Sequence, residues 1–387
     1  MFQWKNFILR TLSYVLVAAV SAFAAIMLWG GGFSKLAALE RLIENRFIGQ
    51  ADMDEARDAA AAAMVDALGD KWSYYISAEE YSAAQERKNN TYVGVGFAIS
   101  QREDGTGLDI ESVEPGSSAE EQGILPGDIL IEADGQSVAG MTNSQVSQII
   151  SGEKGTTVEV GVLRNGEKLT FTLERQSLRI EAAKGQLLEG GIGLIRIENF
   201  FANSASETIA VIKDLQAQGA QKLIFDVRNN PGGYIVQMTK VLDYLLPEGV
   251  IYREEDYTGR SDQIKSDASC LELPIAVLVN KRSYSSAEFF AAVLQEYDWA
   301  TIVGQHTTGK GYYQNTIALP DGSAVNLSIG KYCTPNGVNL MEVGGITPDV
   351  ESLVDDETDA YIYYDLISAE DDPQIQAAVQ FLNKTAD

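Results

Sequence analysis

The 387-residue chain contains one histidine and two cysteines. A Ser-His-Asp triad would therefore rest on His306 alone, and so few Cys and His cannot build a zinc site. No H-E-x-x-H occurs, which removes the metalloproteases that carry it on a helix. Cys270 and Cys333 permit at most one disulfide, and sequence does not show whether they approach each other. Basic residues are scarce: 29 Lys and Arg face 55 Asp and Glu, for a net charge of -26. Phosphate backbones and anionic lipid surfaces need the opposite sign, so neither nucleic acid nor peripheral lipid binding is expected. The acidity reads as a solvated surface. Repeats and low-complexity segments are absent too.

What is present begins with an uncharged run at residues 11–29, "TLSYVLVAAVSAFAAIMLW". As a helix it would be roughly 28 Å long, close to the hydrocarbon thickness of a bilayer. Lys5 and Arg10 precede it, which directs the rest of the chain out of the cytoplasm. A single N-terminal transmembrane helix within residues 1–33 is the expectation. A cleaved signal, leaving a secreted protein, is the alternative.

After Gly30-Gly31-Gly32, residues 34–90 read as helical, with "MDEARDAAAAAMVDALG" stopping at Gly69. Residues 91–176 read as short strands and turns with one helix at "TNSQVSQIIS". From about residue 177 strands and helices alternate, through "GIGLIRI", "KLIFDVR" and "LPIAVLVN", which indicates an α/β layer of mostly parallel strands reaching to 352. An acidic segment, 353–387, ends in a helix.

Three serines in "VNKRSYSSAEFFAAV" stand where an apolar strand ends and a helix begins. A serine is a weak nucleophile until a base takes its proton. His306 in "GQHTTGKG" is one candidate base and lysine the other. A lysine is charged at neutral pH, and burial would have to lower its pKa by about three units from roughly 10.4. Lys310 suits this, because its neighbours over 307–314 carry no other charge; Lys281 sits beside Arg282, where a solvated charge is expected. Oxyanion donors could come from the N-terminus of the helix opening near Ser285 and from "NNPGG" at 229–233. An ordinary tight turn also accounts for those glycines.

"SYSSAE", "GQHTTGKGYYQ", "DVRNNPGG" and "GGITPDV" together resemble the carboxyl-terminal processing peptidases, tail-specific serine proteases of the S41 type. The resemblance implies a crotonase/ClpP-like core of layered βα units and a Ser-Lys dyad. In it, Ser285 matches the nucleophile, Lys310 the base and Gln314 the residue orienting the base. Gly232 and Gly233 would share the oxyanion hole with the Ser286 N–H. Ala287 replaces the third serine of the family motif and Ser286 is an added one, so Ser286 remains a second candidate nucleophile. Ser151 precedes Gly152 where relatives often carry an arginine, so a switch through that arginine is not expected here.

"YVGVGFAI" resembles the carboxylate-binding loop of an inserted PDZ domain, a partly open β-barrel with helices. Backbone N–H groups near Gly94, Val95, Gly96 and Phe97 could grip a terminal carboxylate while the next strand pairs with the peptide. Val146 and Ile150, four apart on a helix, could wall a pocket for a final apolar side chain; they could equally be core residues. The implied partners are proteins with free, apolar C-termini, and no cofactor is implied.

Two apparent motifs carry less. "GQHTTGKG" lacks the Ser or Thr that ends a phosphate loop, and "SIGK" at 328–331 lies in an alternating strand pattern without its partner motifs. Two functions remain: a membrane-anchored serine endopeptidase recognising protein tails, or a catalytically silent tethered PDZ scaffold.

Overall fold

The computed structural model describes residues 34–102 and 104–384. The anchor expectation at 11–29 lies outside them, and no helix among the described residues is long and apolar enough to cross a membrane. The chain divides after Tyr75 into two units. In the first, α1 (Ser34–Arg46) is followed by α2 (Met53–Asp66). Asp52 caps α2 by accepting the amides of Asp54 and Glu55, and Asp54 and Glu55 suit the positive end of the helix dipole. The short β1 (Tyr74–Ile76) spans the division.

The second unit opens with α3 (Ala78–Lys88), started by a Ser77/Glu80 capping box. β2 (Thr91–Gly94) leads into a small domain, and β9 (Gln176–Arg179) leads out of it. These two strands pair antiparallel, so both ends of the insertion emerge together. Between them lie β3 (Phe97–Gln101), β4 (Leu108–Val113), α4 (Ser118–Gln122), β5 (Ile129–Ala133), β6 (Gln136–Ser137), α5 (Asn143–Ile150), β7 (Thr157–Arg164) and β8 (Glu167–Glu174). The sheet order β3-β4-β5-β7-β8 makes β3 an edge strand. Its core includes Leu108, Leu130, Val146, Val160 and Leu173. Gly96 is required here: its φ is +91°, and a Cβ would lie 2.1 Å from that of Ser117.

The larger body continues with β10 (Ala183–Leu188), β11 (Ile192–Ile197), α6 (Ser204–Ala217), β12 (Lys222–Asp226), α7 (Ile235–Leu245), β13 (Gly249–Asp256), β14 (Ser261–Ser266), β15 (Ile275–Val279), α8 (Ser286–Glu296) and β16 (Thr301–Gly304). It ends with β17 (Tyr312–Ala318), β18 (Ala324–Cys333), α9 (Leu340–Val343), β19 (Val350–Glu351), α10 (Asp356–Tyr363) and α11 (Pro373–Lys384). The central sheet runs β10-β11-β12-β15-β16-β19, with only β10 antiparallel to its neighbour. Alternation divides its side chains between two cores. Leu223, Phe225, Ile275, Val277 and Val279 face the cluster holding α6, α7 and α8. Ile224, Ala276 and Leu278 face Ile375, Ala378 and Leu382 of α11. A strand buried on both faces reads as a continuous apolar run, which is why "IAVLV" lacks a polar residue. A second sheet pairs β18 with β17 and β13, and β13 with β14.

Candidate active site

Three neighbouring parallel strands, β12, β15 and β16, end beside one another, and the turn after each carries one motif. Open α/β sheets place their sites at such carboxyl ends. The first two turns are joined through Asn229 and Asn280. Asn280 accepts the Asn229 N–H at 3.1 Å and donates to Asn229 Oδ1 at 2.9 Å. Ser283, the first serine of the motif, is fully buried and donates to the Val227 carbonyl at 2.7 Å. It is a structural hydroxyl.

Ser285 is the N-cap of α8, with φ 58° and ψ -129°. Such a backbone is strained for a residue with a Cβ, by roughly 1–3 kcal/mol, and persists where its surroundings enforce it. Gly232 lies directly against it: a Cβ there would be 2.8 Å from Ser285 Cβ and 2.8 Å from Ser286 N. Ser286 points its hydroxyl elsewhere, donating to the Gly233 carbonyl at 3.0 Å. Gly233 pairs with Phe200, and a Cβ at Gly233 would meet the Phe200 carbonyl carbon at 2.3 Å. The NNPGG turn therefore stands against the start of α8, as an oxyanion site requires. The Gly232 N–H, however, is aimed back into its own turn, donating to Asn230 Oδ1 at 2.8 Å.

Arg228 and Asp226 anchor this turn from below. Both are buried, and the guanidinium donates Nε and Nη2 to Asp226 at 2.9 and 2.7 Å. Its Nη1 meets Gln374 Oε1 at 3.0 Å and Asp372 Oδ2 at 2.8 Å, the latter a charge contact without hydrogen-bond alignment. Burial pushes the Asp226 carboxyl up, but Arg228 and Arg196 outweigh it and hold the group below the usual carboxylate range.

Lys310 is buried, 9% exposed, and its loop is fastened to α8 by Glu288. The Glu288 carboxylate accepts the Lys310 N–H at 3.0 Å, the Gly309 N–H at 2.6 Å and the Thr307 hydroxyl. Burial raises the Glu288 carboxyl above its usual pKa despite these donors. Tyr332 on β18 donates its phenol to the Lys310 carbonyl. Burial and then the nearby Glu288 charge push that phenol far above an ordinary tyrosine. Ser285 acts on the same phenol and pulls its pKa slightly down.

The other residues singled out in the sequence lie as follows. Gln314 Nε2 donates to the Tyr312 carbonyl at 2.9 Å and to Ser328 Oγ at 3.1 Å, bracing β17. His306 is exposed and its Nε2 contacts the Gly344 carbonyl at 2.8 Å. Lys281 is solvated and pairs with Asp359 at 3.2 Å. Cys270 and Cys333 are free thiols. In the small domain, Gly94 ends β2 and pairs with Gln176, Val95 and Gly96 form the turn, and Phe97 opens β3. Val146 and Ile150 are buried in that domain's core. The edge carbonyl of Ile99 receives Asn143 Nδ2 at 3.1 Å.

Glu288, Thr307 and Tyr332 were not singled out from the sequence. One signal was available for Glu288: it is the sole charge in "SAEFFAAVL", and a carboxylate in a buried helix needs donors.

The chain as a whole is similar to known proteins. Residues 191–352 match Peptidase family S41, and residues 85–163 match the PDZ domain. The carboxy-terminal processing protease CtpA of Bacillus subtilis is 30% identical over 327 residues, covering 84% of this chain and 70% of that protein. A probable CtpA-like serine protease of Staphylococcus saprophyticus is 27% identical, covering 90% of this chain and 73% of its own. A putative S41 protease from Bacteroides fragilis shares the fold, with a TM-score of 0.57 at 17% identity, over 88% of this chain and 93% of that one. The chain belongs to peptidase family S41: it is a serine peptidase carrying a PDZ domain.

Proposed function

We propose that the chain is a membrane-anchored endopeptidase that takes protein C-terminal tails through its PDZ domain and cleaves them with a Ser285-Lys310 dyad. The observation that carries this reading is the strained Ser285 at the start of α8, lying against the NNPGG turn, with the buried Lys310 loop fastened to the same helix by Glu288. Ser286 is the weaker nucleophile, since its hydroxyl is held by Gly233.

In the reaction, the neutral Lys310 amine takes the proton of the Ser285 hydroxyl as Oγ bonds to the scissile carbonyl carbon. The carbonyl π electrons move onto oxygen, and the amides of Gly233 and Ser286 receive the oxyanion. The Gly232 amide joins them only by releasing Asn230. The lysine proton then passes to the leaving amine, and water cleaves the acyl-enzyme by the same steps. An orienting role for Gln314 requires its amide to leave Tyr312 and Ser328 when substrate binds. In the PDZ domain, β3 is a sheet edge able to pair with an extended peptide, and the Val95-Gly96 turn and Phe97 receive the carboxylate. The apolar run at 11–29 supports an anchor with the catalytic part outside the cytoplasm.

The test is proteolysis of an unfolded protein, such as casein, by the full-length chain in detergent. Ser285→Ala and Lys310→Ala should each lose about a thousandfold or more in kcat, while His306→Ala keeps most activity. Retained activity in Lys310→Ala would sink the dyad. A substrate tail with a free carboxylate should bind more tightly than its amidated form; equal binding would remove the PDZ part of the reading.

A further inference from the structure

We infer that Glu288 is a positioning residue, which sets the Lys310 main chain at a fixed distance from Ser285. The inference rests on the dyad reading above. Glu288 stands three residues after Ser285 on α8, so the nucleophile and the carboxylate belong to one rigid element. One carboxylate accepts three donors, all from the base loop. Oε1 receives the Gly309 N–H and the Thr307 hydroxyl, and Oε2 receives the Lys310 N–H. Tyr332 grips the carbonyl of the same residue. The Lys310 backbone is thus held at its N–H from the nucleophile helix and at its C=O from β18.

The loop has no room to slide behind this clamp. Thr307 Oγ1, while donating to Glu288, accepts the Ile346 N–H at 2.8 Å. A Cβ at Gly345 would lie 2.7 Å from the Thr307 carbonyl oxygen, and one at Gly309 would lie 2.7 Å from the Gly344 carbonyl carbon. The "GGITPDV" motif therefore backs the base loop, and Thr307 relays that support to α8.

Every group facing the carboxylate is a donor, so an ionised carboxylate is the matching partner and a carboxamide of equal size is not. In Glu288→Gln one oxygen still accepts, but the NH2 faces an N–H. The loop must then shift, and displacement of a reacting group by about 1 Å can cost a hundredfold.

The test compares Glu288→Gln with the wild-type full-length chain by two readouts. Hydrogen exchange reports the clamp without any reference to catalysis: the Gly309 and Lys310 amides should exchange at least about tenfold faster in the variant. Casein-derived peptide kinetics report the consequence: kcat should fall about a hundredfold with KM changed by less than about threefold. Should Glu288→Gln fail to fold, Thr307→Val carries the same two readouts, with a kcat loss of about tenfold, and Thr307→Ser recovers most of it. Unchanged amide exchange overturns the clamp. Faster exchange with kcat within about threefold of wild type overturns its positioning role. Failure of the dyad itself is read separately, from Lys310→Ala.

Discussion

Two buried carboxylates brace the glycine turn and the Lys310 loop, and their pKa values are shifted in opposite directions. Asp226 lies under the glycine turn against the Arg228 guanidinium, and it is held below the usual carboxylate range even though burial pushes it up. Glu288 lies under the lysine loop bonded to N–H and O–H donors, with His306 adding only a smaller pull, and burial carries it above that range. Desolvation is common to both; the cation is the difference. The glycine side is therefore an ion-paired foundation. The lysine side is a dipole-lined one, and placing a full cation there would set a permanent charge beside the Lys310 amine, which the proposed dyad needs neutral.

The contrast can be tested from its strongest consequence downward. Arg228→Ala leaves buried Asp372 without its cation and buried Asp226 with Arg196 alone at 3.4 Å, and urea unfolding should show a loss of about 3–5 kcal/mol. A loss under about 1 kcal/mol would mean that the network adds little and that the two sides do not differ as described. Gly232→Ala is next. Its Cβ would press on Ser285 and Ser286 from a φ of +90°, and kcat should fall about a hundredfold with PDZ peptide binding intact. Activity within a few fold of wild type would separate the glycine turn from catalysis.

The acid limb of stability supplies a third test. The folded pKa of Asp226 is below its unfolded value. Its contribution is therefore present above the unfolded value, about 4, and is lost as pH falls through the depressed folded one. Glu288 is the reverse: its folded pKa is raised, so keeping it ionised costs stability once pH rises through that value. Asp226→Asn should accordingly flatten the fall of stability in acid, measured by urea unfolding between about pH 6 and 3. An unaltered acid limb would contradict the pairing. The smallest effect belongs to Ser286→Ala, which loses one hydroxyl bond to Gly233, about 1 kcal/mol, and keeps the backbone amide. Its kcat should remain within about fivefold of wild type; a collapse as deep as that of Ser285→Ala would move the nucleophile to Ser286.

Much of the fold was legible because its signals are local. "IAVLV" announced a strand covered on both faces, and the β-then-α alternation from about residue 177 announced the parallel sheet. The serine, lysine and glycine motifs were legible as turns at strand ends. Their supports were not. Glu288 gave a hint as a lone charge in an apolar helix, but its donors lie 19 to 22 residues away. Tyr332 sits 22 residues beyond Lys310 on a strand of another sheet, and nothing in "SIGKYCTPNG" singles it out. Gln314 shows the converse: its place in the motif is plain, yet its amide is bonded to Tyr312 and Ser328.

The sequence by itself determined which residues could do the chemistry: the scarcity of histidine, the uncharged surroundings of Lys310 and the glycines at 232 and 233 restrict the choice. Tertiary structure decided which serine is strained and which is hydrogen-bonded, and which buried carboxylate has a cation. The physical reason is distance along the chain. Turn chemistry and periodicity act over a few residues, whereas desolvation and charge pairing depend on what the folded sheet brings within about 4 Å.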